Sequence, residues 1–435
     1  MKSEKKNILI YGGGFVGITL AGKLLSKKTN NVVIVENNSL KYRGFGLQQY
    51  GVFEPGLDDI LNKAVKKSKL KFETKLPDYK FDICFICIGT PRNENLDASL
   101  NSLKIIINDL IGNLAFGGHV YLRSTVQVGT TSNLVNDIMK SNRKDIKIFY
   151  APERTAEGVA LKELDLLPQI LGASNNHDLS VGQEMLSNFG FNVLLTSSTE
   201  EAEFIKLICN VWRDSVFAIS NELAVFAENL KIDIGEAINK ANMDYPRSNI
   251  PFPGPVGGPC LSKDTYILLE SLNSDLRINS LVLAARQRNE SVPEIVFERI
   301  SNFIDVKSSE QRIIFLGSAF KGQPKTNDFR ESLTKNVIDR LIKSELSIKI
   351  SIWDPTVEPR DLLEYSNYHI HKLDPAAHDI VIIGNNNDSI YTDNVIEFLS
   401  NLGKNNLLID MWGVTRKIKA IQCNLYIFGN GVNSK

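Results

Sequence analysis

The sequence predicts an α/β protein in which two doubly wound domains are joined by a helical central domain. Over the first 150 residues short β-rich runs alternate with helical stretches; a helical region follows, and the same alternation then resumes. At 435 residues the chain is too long for one ordinary domain. The changes of rhythm divide it into residues 1–197, 198–306 and 307–435.

In the first segment NILIYGG, NVVIVE, FDICFICIG, HVYLRST and IKIFY have the composition of parallel strands joined by helical crossovers. From Ser198 to Leu230 the period changes. Phe204, Ile208, Val211, Ile219, Leu223, Phe226 and Leu230 recur at helical steps and predict one long amphipathic helix. The chain stays helical to about Val306, apart from the glycine- and proline-rich loop NIPFPGPVGGP. The second α/β rhythm comprises RIIFLG, a helix over Leu333 to Lys343, SIKISIWDP, DIVIIGN and NLLID.

Composition narrows the function. Fifty basic and fifty acidic residues leave no net charge, which argues against a nucleic-acid partner, while a local cationic pocket for a small anion stays open. There is no uninterrupted apolar run of about 20 residues and no signal-like N-terminus, so neither a membrane span nor a membrane partner is expected. Five scattered cysteines suit a reducing compartment, and a cytoplasmic location is expected. Cys84 and Cys87 form a C-x-x-C, but inside a strand such positions face opposite ways, so a buried structural pair is expected. The five histidines make no metal-ligand spacing with acids or cysteines, and no metal is expected.

Gly12-Gly13-Gly14-Phe15-Val16-Gly17 is a G-x-G-x-x-G loop that follows the strand NILIY and opens the helix GITLAGKLL. In that context Gly12 permits a tight turn, Gly14 lets a pyrophosphate approach the backbone, and Gly17 lets helix pack on strand. The helix N-terminus, with Phe15 and Val16, then faces the phosphates. Glu36 ends the next strand, where an acid binds a ribose and repels a 2′-phosphate, so NAD is the expected cofactor and the domain is Rossmann-like.

The stretch GPVGGPCLSKD leads through glycines and prolines to Cys260, and SKDTYILLE then has helical character. A thiol at a helix N-terminus, beside Lys263, favours the thiolate. Asp264, four residues on, shares its helical face and is placed to manage a proton. A cysteine packed behind a glycine-rich turn accounts for the same residues without chemistry.

This loop resembles the active-site segment of the UDP-glucose/GDP-mannose dehydrogenase family, and further landmarks follow in order. RSTVQVGT carries Thr125, APERTAEG carries Glu153 and Glu157, EAEFIKLICN carries Lys206 and Asn210, and GSAFKGQPKTNDFRES carries Lys321, Asp328 and Arg330. EPGLDDIL and CIGTP, with Thr90, also match, and the resemblance spans Asn7 to Trp412. It implies oxidation of the C6 alcohol of a nucleotide sugar to a carboxylate in two steps through a Cys260 thioester. Cys260, Lys206, Asn210, Asp264, Glu157, Glu153 and Thr125 would be catalytic. Lys206 and Asn210 would stabilise the oxyanion, a water held by Asp264 and Thr125 would take the hydroxyl proton, and Glu157 or Asp264 would manage the hydrolytic water. Gly12, Gly14, Phe15, Val16, Gly17, Glu36, Thr90 and Thr125 would hold NAD. The sugar nucleotide would meet Glu153, Arg154, Lys206, Asn210, Arg247, Gly257, Lys321 and Arg330, the last two at its diphosphate.

The residues after the Pro-Glu pair, Arg154-Thr155-Ala156, and the run Leu167 to Ile170 resemble the branch acting on UDP-N-acetylhexosamines. UDP-N-acetylmannosamine or UDP-N-acetylglucosamine is therefore expected before UDP-glucose. Pro255 departs from the pattern of many relatives. Arg247 is read equally as a loop cation or as a substrate contact across a homodimer or higher homo-oligomer. Two rivals remain: a two-electron hydroxyacid-type dehydrogenase, which needs neither Cys260 nor the last domain, and a catalytically silent nucleotide-sugar-binding protein.

Overall fold

The Val-, Ile- and Leu-rich runs become strands buried on both faces, as parallel sheets between helical layers require. The computed structural model describes the chain except residues 1–5, 27–29, 91–96, 305–310, 345, 376–378, 420 and 433–435. Pro91 of the CIGTP motif, His378 and the expected boundary at Val306 lie outside the described residues. The chain divides into two units, residues 1–209 with 266–273, and residues 210–265 with 274–435.

The first unit holds eight strands: β1 (Asn7–Tyr11), β2 (Asn31–Val35), β3 (Leu70–Glu73), β4 (Phe81–Ile86), β5 (Leu114–Leu122), β6 (Lys147–Tyr150), β7 (Gln169–Ala173) and β8 (Val193–Leu195). Their order is β3-β2-β1-β4-β5-β6-β7-β8, parallel except where β6 meets β7. The strand order reverses at β1, between β2 and β4, which opens a crevice at the carboxyl ends of these strands. Strands β3, β7 and β8 were absent from the sequence expectations. LKFE is interrupted by charge, VLL spans only three residues, and QILGA carries a glycine. Cys84 packs into the core on one face of this sheet and Cys87 into the core on the other. Burial raises both thiols, Cys87 to about 12, so the C-x-x-C is structural, as its strand position predicted.

The second unit carries five parallel strands, β9 (Gln311–Leu316), β10 (Ile348–Trp353), β11 (Ile380–Ile383), β12 (Leu407–Asp410) and β13 (Asn424–Ile427), in the order β10-β9-β11-β12-β13. Only β13, NLYI, was unforeseen, and the helix Leu333–Lys343 falls where its pattern placed it. Here the order reverses at β9, between β10 and β11. The loops leaving β9 and β11 are pressed together there. A Cβ on Gly384 would come 2.0 Å from the Gly317 carbonyl, and Asn385 donates to the Ala319 carbonyl at 3.2 Å.

The long helix runs Thr199–Asn229, as expected, but its faces are inverted. Of the apolar stripe read from the sequence, Phe204, Ile208, Ile219, Phe226 and Leu230 are exposed, and Trp212 joins them; only Val211 is buried. The inward face carries Glu203, Lys206, Asn210, Asp214 and Asn221 among small residues such as Ala218 and Ala224. Amphipathic period fixes that a helix forms and how its faces divide, but not which face the chain turns inward.

Candidate active site

Local backbone needs shape the loop after β1. Gly12 has φ +108°, and a Cβ there would meet the Cys87 carbonyl at 2.6 Å. A Cβ on Gly17 would lie 2.0 Å from the Gly12 carbonyl, so helix Phe15–Ser26 can sit on its strand only with glycine at that point. Gly14 is different: a Cβ there would touch nothing, which leaves the helix N-terminus open to an incoming phosphate. Phe15 and Val16 are half-buried beside it. Glu36 stands just beyond β2, buried, and accepts from the N–H groups of Gly13 at 3.0 Å and Asn38 at 2.8 Å. After β4 and β5, the Thr90 hydroxyl donates to the Thr125 carbonyl at 2.8 Å. Glycines where Cβ atoms cannot fit, an open helix N-terminus and an acid at the next strand end suit an NAD adenosine diphosphate.

Beside this crevice the strand ends are tied by a buried network. Arg123, almost fully buried, donates to Glu153 at 2.5 Å and to Gln169 at 2.9 Å. Gln169 donates in turn to the Pro152 carbonyl at 2.9 Å, and Arg154 reaches the Pro168 carbonyl. The second oxygen of Glu153 accepts from the N–H groups of Arg154 and Thr155 at 2.8 and 2.9 Å. Burial disfavours the charge of Glu153, but the Arg123 guanidinium and these hydrogen bonds outweigh it and hold the carboxyl below its usual range. Glu153 is thus already coordinated on both oxygens, as a fastening of the Pro-Glu turn. Glu157 lies half-buried in a turn ahead of the helix Ala160–Leu166. Residues 151–156 are irregular, so the four-residue spacing of the two acids is not a helical face.

Glu203, which the sequence reading passed over, is fully buried on the long helix three residues before Lys206. Its carboxylate accepts from Gly129 N–H at 2.6 Å and from the N–H and hydroxyl of Thr131 at 2.7 and 2.6 Å. It thereby caps the helix Thr130–Met139, whose own N-cap Gly129 has no side chain to do so. Lys206, 7% exposed, makes no hydrogen bond or ion pair with any described residue. An ammonium left without a described partner on a buried residue is available to a ligand oxygen.

In the second unit Cys260 immediately precedes the helix Leu261–Glu270, and its carbonyl accepts from Asp264 N–H at 3.0 Å. The cysteine is exposed, as a nucleophile must be. Asp264, by contrast, is fully buried. It accepts from the Asn210 amide at 2.6 Å and from the Lys263 ammonium at 3.0 Å. Lys263 thus pairs with Asp264, and the Asn210 amide is held by the same carboxylate. Gly257 and Gly258 lie against the segment after β9. A Cβ on Gly257 would come 2.3 Å from the Glu331 carbonyl, and one on Gly258 would come 2.8 Å from the Phe320 ring. The cysteine loop is therefore fastened between Phe320-Lys321 and Arg330-Glu331. Lys321 lies over the Phe320 ring, and Arg330 pairs with Asp328 while staying exposed. Arg247 is exposed and stacked on Tyr245, 4.6 Å from its ring centre.

A doubly wound sheet with this glycine loop and this acid defines a dinucleotide-binding protein. Residues 6–190 match the NAD binding domain of the UDP-glucose/GDP-mannose dehydrogenase family and residues 200–291 match its central domain. The chain belongs to that family and is an NAD-dependent nucleotide-sugar dehydrogenase. A UDP-N-acetyl-D-mannosamine dehydrogenase of Methanocaldococcus jannaschii is 29% identical, over 99% of this chain and 98% of that protein. A GDP-mannose 6-dehydrogenase of Pseudomonas savastanoi pv. phaseolicola is 28% identical, over 88% of this chain and 91% of that one. The solved structure of a UDP-D-ManNAc dehydrogenase from Pyrococcus horikoshii superposes with a TM-score of 0.82 at 25% identity, covering 98% of this chain and all of that one.

Two measurements test the first unit. Gly14→Ala is expected to leave stability within about 0.5 kcal/mol and to weaken NAD about tenfold, or roughly 1.4 kcal/mol; titration of NAD by fluorescence, beside thermal unfolding, separates the two. Burial pushes Glu203 up to about 7 against its hydrogen bonds. Its folded value lies above the unfolded 4.5, so stability is fully present below that pH and is lost as pH rises through about 7. Relative to wild type, Glu203→Gln should gain up to roughly 3 kcal/mol between pH 4 and pH 8. Unfolding curves whose separation does not change with pH would contradict this.

Proposed function

We propose that this dehydrogenase oxidises the C6 alcohol of UDP-N-acetylmannosamine, or of UDP-N-acetylglucosamine, to the uronate through a thioester on Cys260. One observation supports this most: a single unit holds an exposed cysteine at a helix N-terminus, the buried Asn210–Asp264 pair beneath it, and the Lys321 and Arg330 segment against its glycines. The N-acetylmannosamine sugar is favoured by the relatives named above. The Arg154, Pro168 and Gln169 signature favours the same branch, although those side chains fasten the Pro-Glu turn.

NAD, when bound on Gly12, Gly14, Phe15, Val16, Gly17, Glu36, Thr90 and Thr125, supplies a hydride acceptor for each oxidation. The thiolate of Cys260 adds to the C6 aldehyde to form a C–S bond and a thiohemiacetal oxyanion. Lys206, buried without a described partner, stabilises that oxyanion. Asn210 acts with it by holding Asp264 in place. Thr125, half-buried after β5, and Glu157, half-buried in the turn ahead of the helix Ala160–Leu166, manage the water that cleaves the thioester. Glu153 positions the turn that carries Arg154 and Thr155. Lys321 and Arg330 take the diphosphate and Arg247 reaches substrate from a loop.

We divide the chain into an NAD-binding domain to residue 197, a central domain to 306 and a UDP-binding domain beyond. No described helix is long and apolar enough to cross a membrane, and the described cysteines are free, which supports a cytoplasmic location. Trp212, Ile219 and Phe226, seven residues apart and exposed on one stripe of the long helix, support a homodimer seam. Sedimentation of the purified protein as a single chain at micromolar concentration would count against that seam.

The substrate reading is tested by following NADH with UDP-N-acetylmannosamine, UDP-N-acetylglucosamine, UDP-glucose and GDP-mannose. An N-acetylated UDP-sugar is expected to lead UDP-glucose by at least about tenfold in kcat/KM; faster turnover of UDP-glucose would overturn the assignment. Cys260→Ser is expected to lose uronate formation by about 100-fold or more. Full turnover by that variant would remove the thioester.

A further inference from the structure

In the proline- and glycine-rich loop that delivers Cys260, Pro255 and Pro259 have no N–H to donate, so fewer backbone groups can tie it down. Its two ends are held by buried side chains of the long helix and of the helix Leu281–Phe303. Gly254 N–H donates to Asn221 Oδ1 at 2.8 Å, and the Asn221 amide donates to Asn289 Oδ1 at 2.9 Å. Asn289 donates to both the carbonyl and the carboxylate of Asp214, each at 2.8 Å. Arg286 completes the chain, bonding Asp214 Oδ1 at 2.7 Å and the carbonyl of Leu261 at 3.1 Å. A continuous line of hydrogen bonds therefore leaves the loop six residues before Cys260 and rejoins it one residue after. Thr265, on the helix that Cys260 opens, also donates to Asp214 at 3.3 Å.

All four side chains in this line are at most 2% exposed. Burying an ion pair and two amides gains little stability over apolar residues of the same volume. What apolar residues would not do is grip the Gly254 N–H and the Leu261 carbonyl, the two backbone groups that fix the approach of the thiol.

We propose that Asn221, Asn289, Asp214 and Arg286 are positioning residues that hold Cys260 at the distance and angle needed to capture the aldehyde. This rests on the reading of Cys260 as nucleophile. The first oxidation, from alcohol to aldehyde with NAD as oxidant, does not use the thiol. A slack loop therefore lets the free aldehyde escape before the C–S bond forms.

The test compares wild type, Asn221→Ala and Arg286→Lys, with fold checked by circular dichroism and free aldehyde trapped with a hydrazine during turnover. Folded Asn221→Ala is expected to lose about 100-fold in kcat, with an unchanged KM for NAD and trapped aldehyde that wild type does not release. One terminal nitrogen of Arg286 bonds both Asp214 and the Leu261 carbonyl; Arg286→Lys keeps a cation, but its shorter side chain does not carry a nitrogen to that point, so it is expected to leak aldehyde too. Folded variants with wild-type kcat and no aldehyde overturn the proposal. So does failure of both variants to fold, which assigns the line to stability alone. A Cys260→Ala enzyme run beside them separates the premises: full uronate formation there removes the nucleophile, whatever the network variants do.

Discussion

Asp214, about 1% exposed, sits where Arg286, Asn289 and Thr265 all donate to one carboxylate, and the long helix Thr199–Asn229 is turned to place it there. A carboxylate that deep is tolerated only with its partners present, because an unpaired buried charge costs several kcal/mol. That requirement fixes the rotation of the helix. Once Asp214 faces inward, Glu203, Lys206, Asn210 and Asn221 follow on the same face, and Trp212, Ile219 and Phe226 must face out. The chemistry-bearing face and the exposed apolar face are two results of one orientation.

Several charged groups that a motif reading treats alike prove to have different work. Glu153 is bound on both oxygens, to Arg123 and to backbone N–H groups, whereas Lys206 is buried with no described partner. The first arrangement holds a turn in shape and the second leaves a charge for a ligand. Asp264 stands between them: it is paired with Asn210 and Lys263, yet its own N–H bonds the carbonyl of Cys260, so it fixes the start of the helix that presents the thiol. Family landmarks mark where such residues stand; their hydrogen bonds decide what each one does.

Much of the fold was legible because strand composition and helical period are local properties. The five strands β1, β2, β4, β5 and β6, the helix Leu333–Lys343 and the two ends of the long helix fall where the pattern put them. The short edge strand β8 and the charged strand β3 escaped because their strand character comes from neighbours, not from their own residues. The glycine loop and Glu36 were legible because backbone geometry demands those residue types in that order. Glu203, Arg123, Asp214 and Arg286 were not, since each acts through a partner far along the chain. A faint signal existed: acids and amides at 203, 210, 214 and 221 recur on one face of the long helix.

The central claim is that one site removes four electrons from one sugar, with Cys260 holding the intermediate between the two oxidations. It is tested most directly by counting NADH formed against UDP-sugar consumed, with the sugar limiting and the product identified by mass. Two NADH per sugar and a uronate product are predicted. One NADH per sugar with an aldehyde or ketone product would contradict the account, and the cysteine at the helix N-terminus would then have no part in the chemistry.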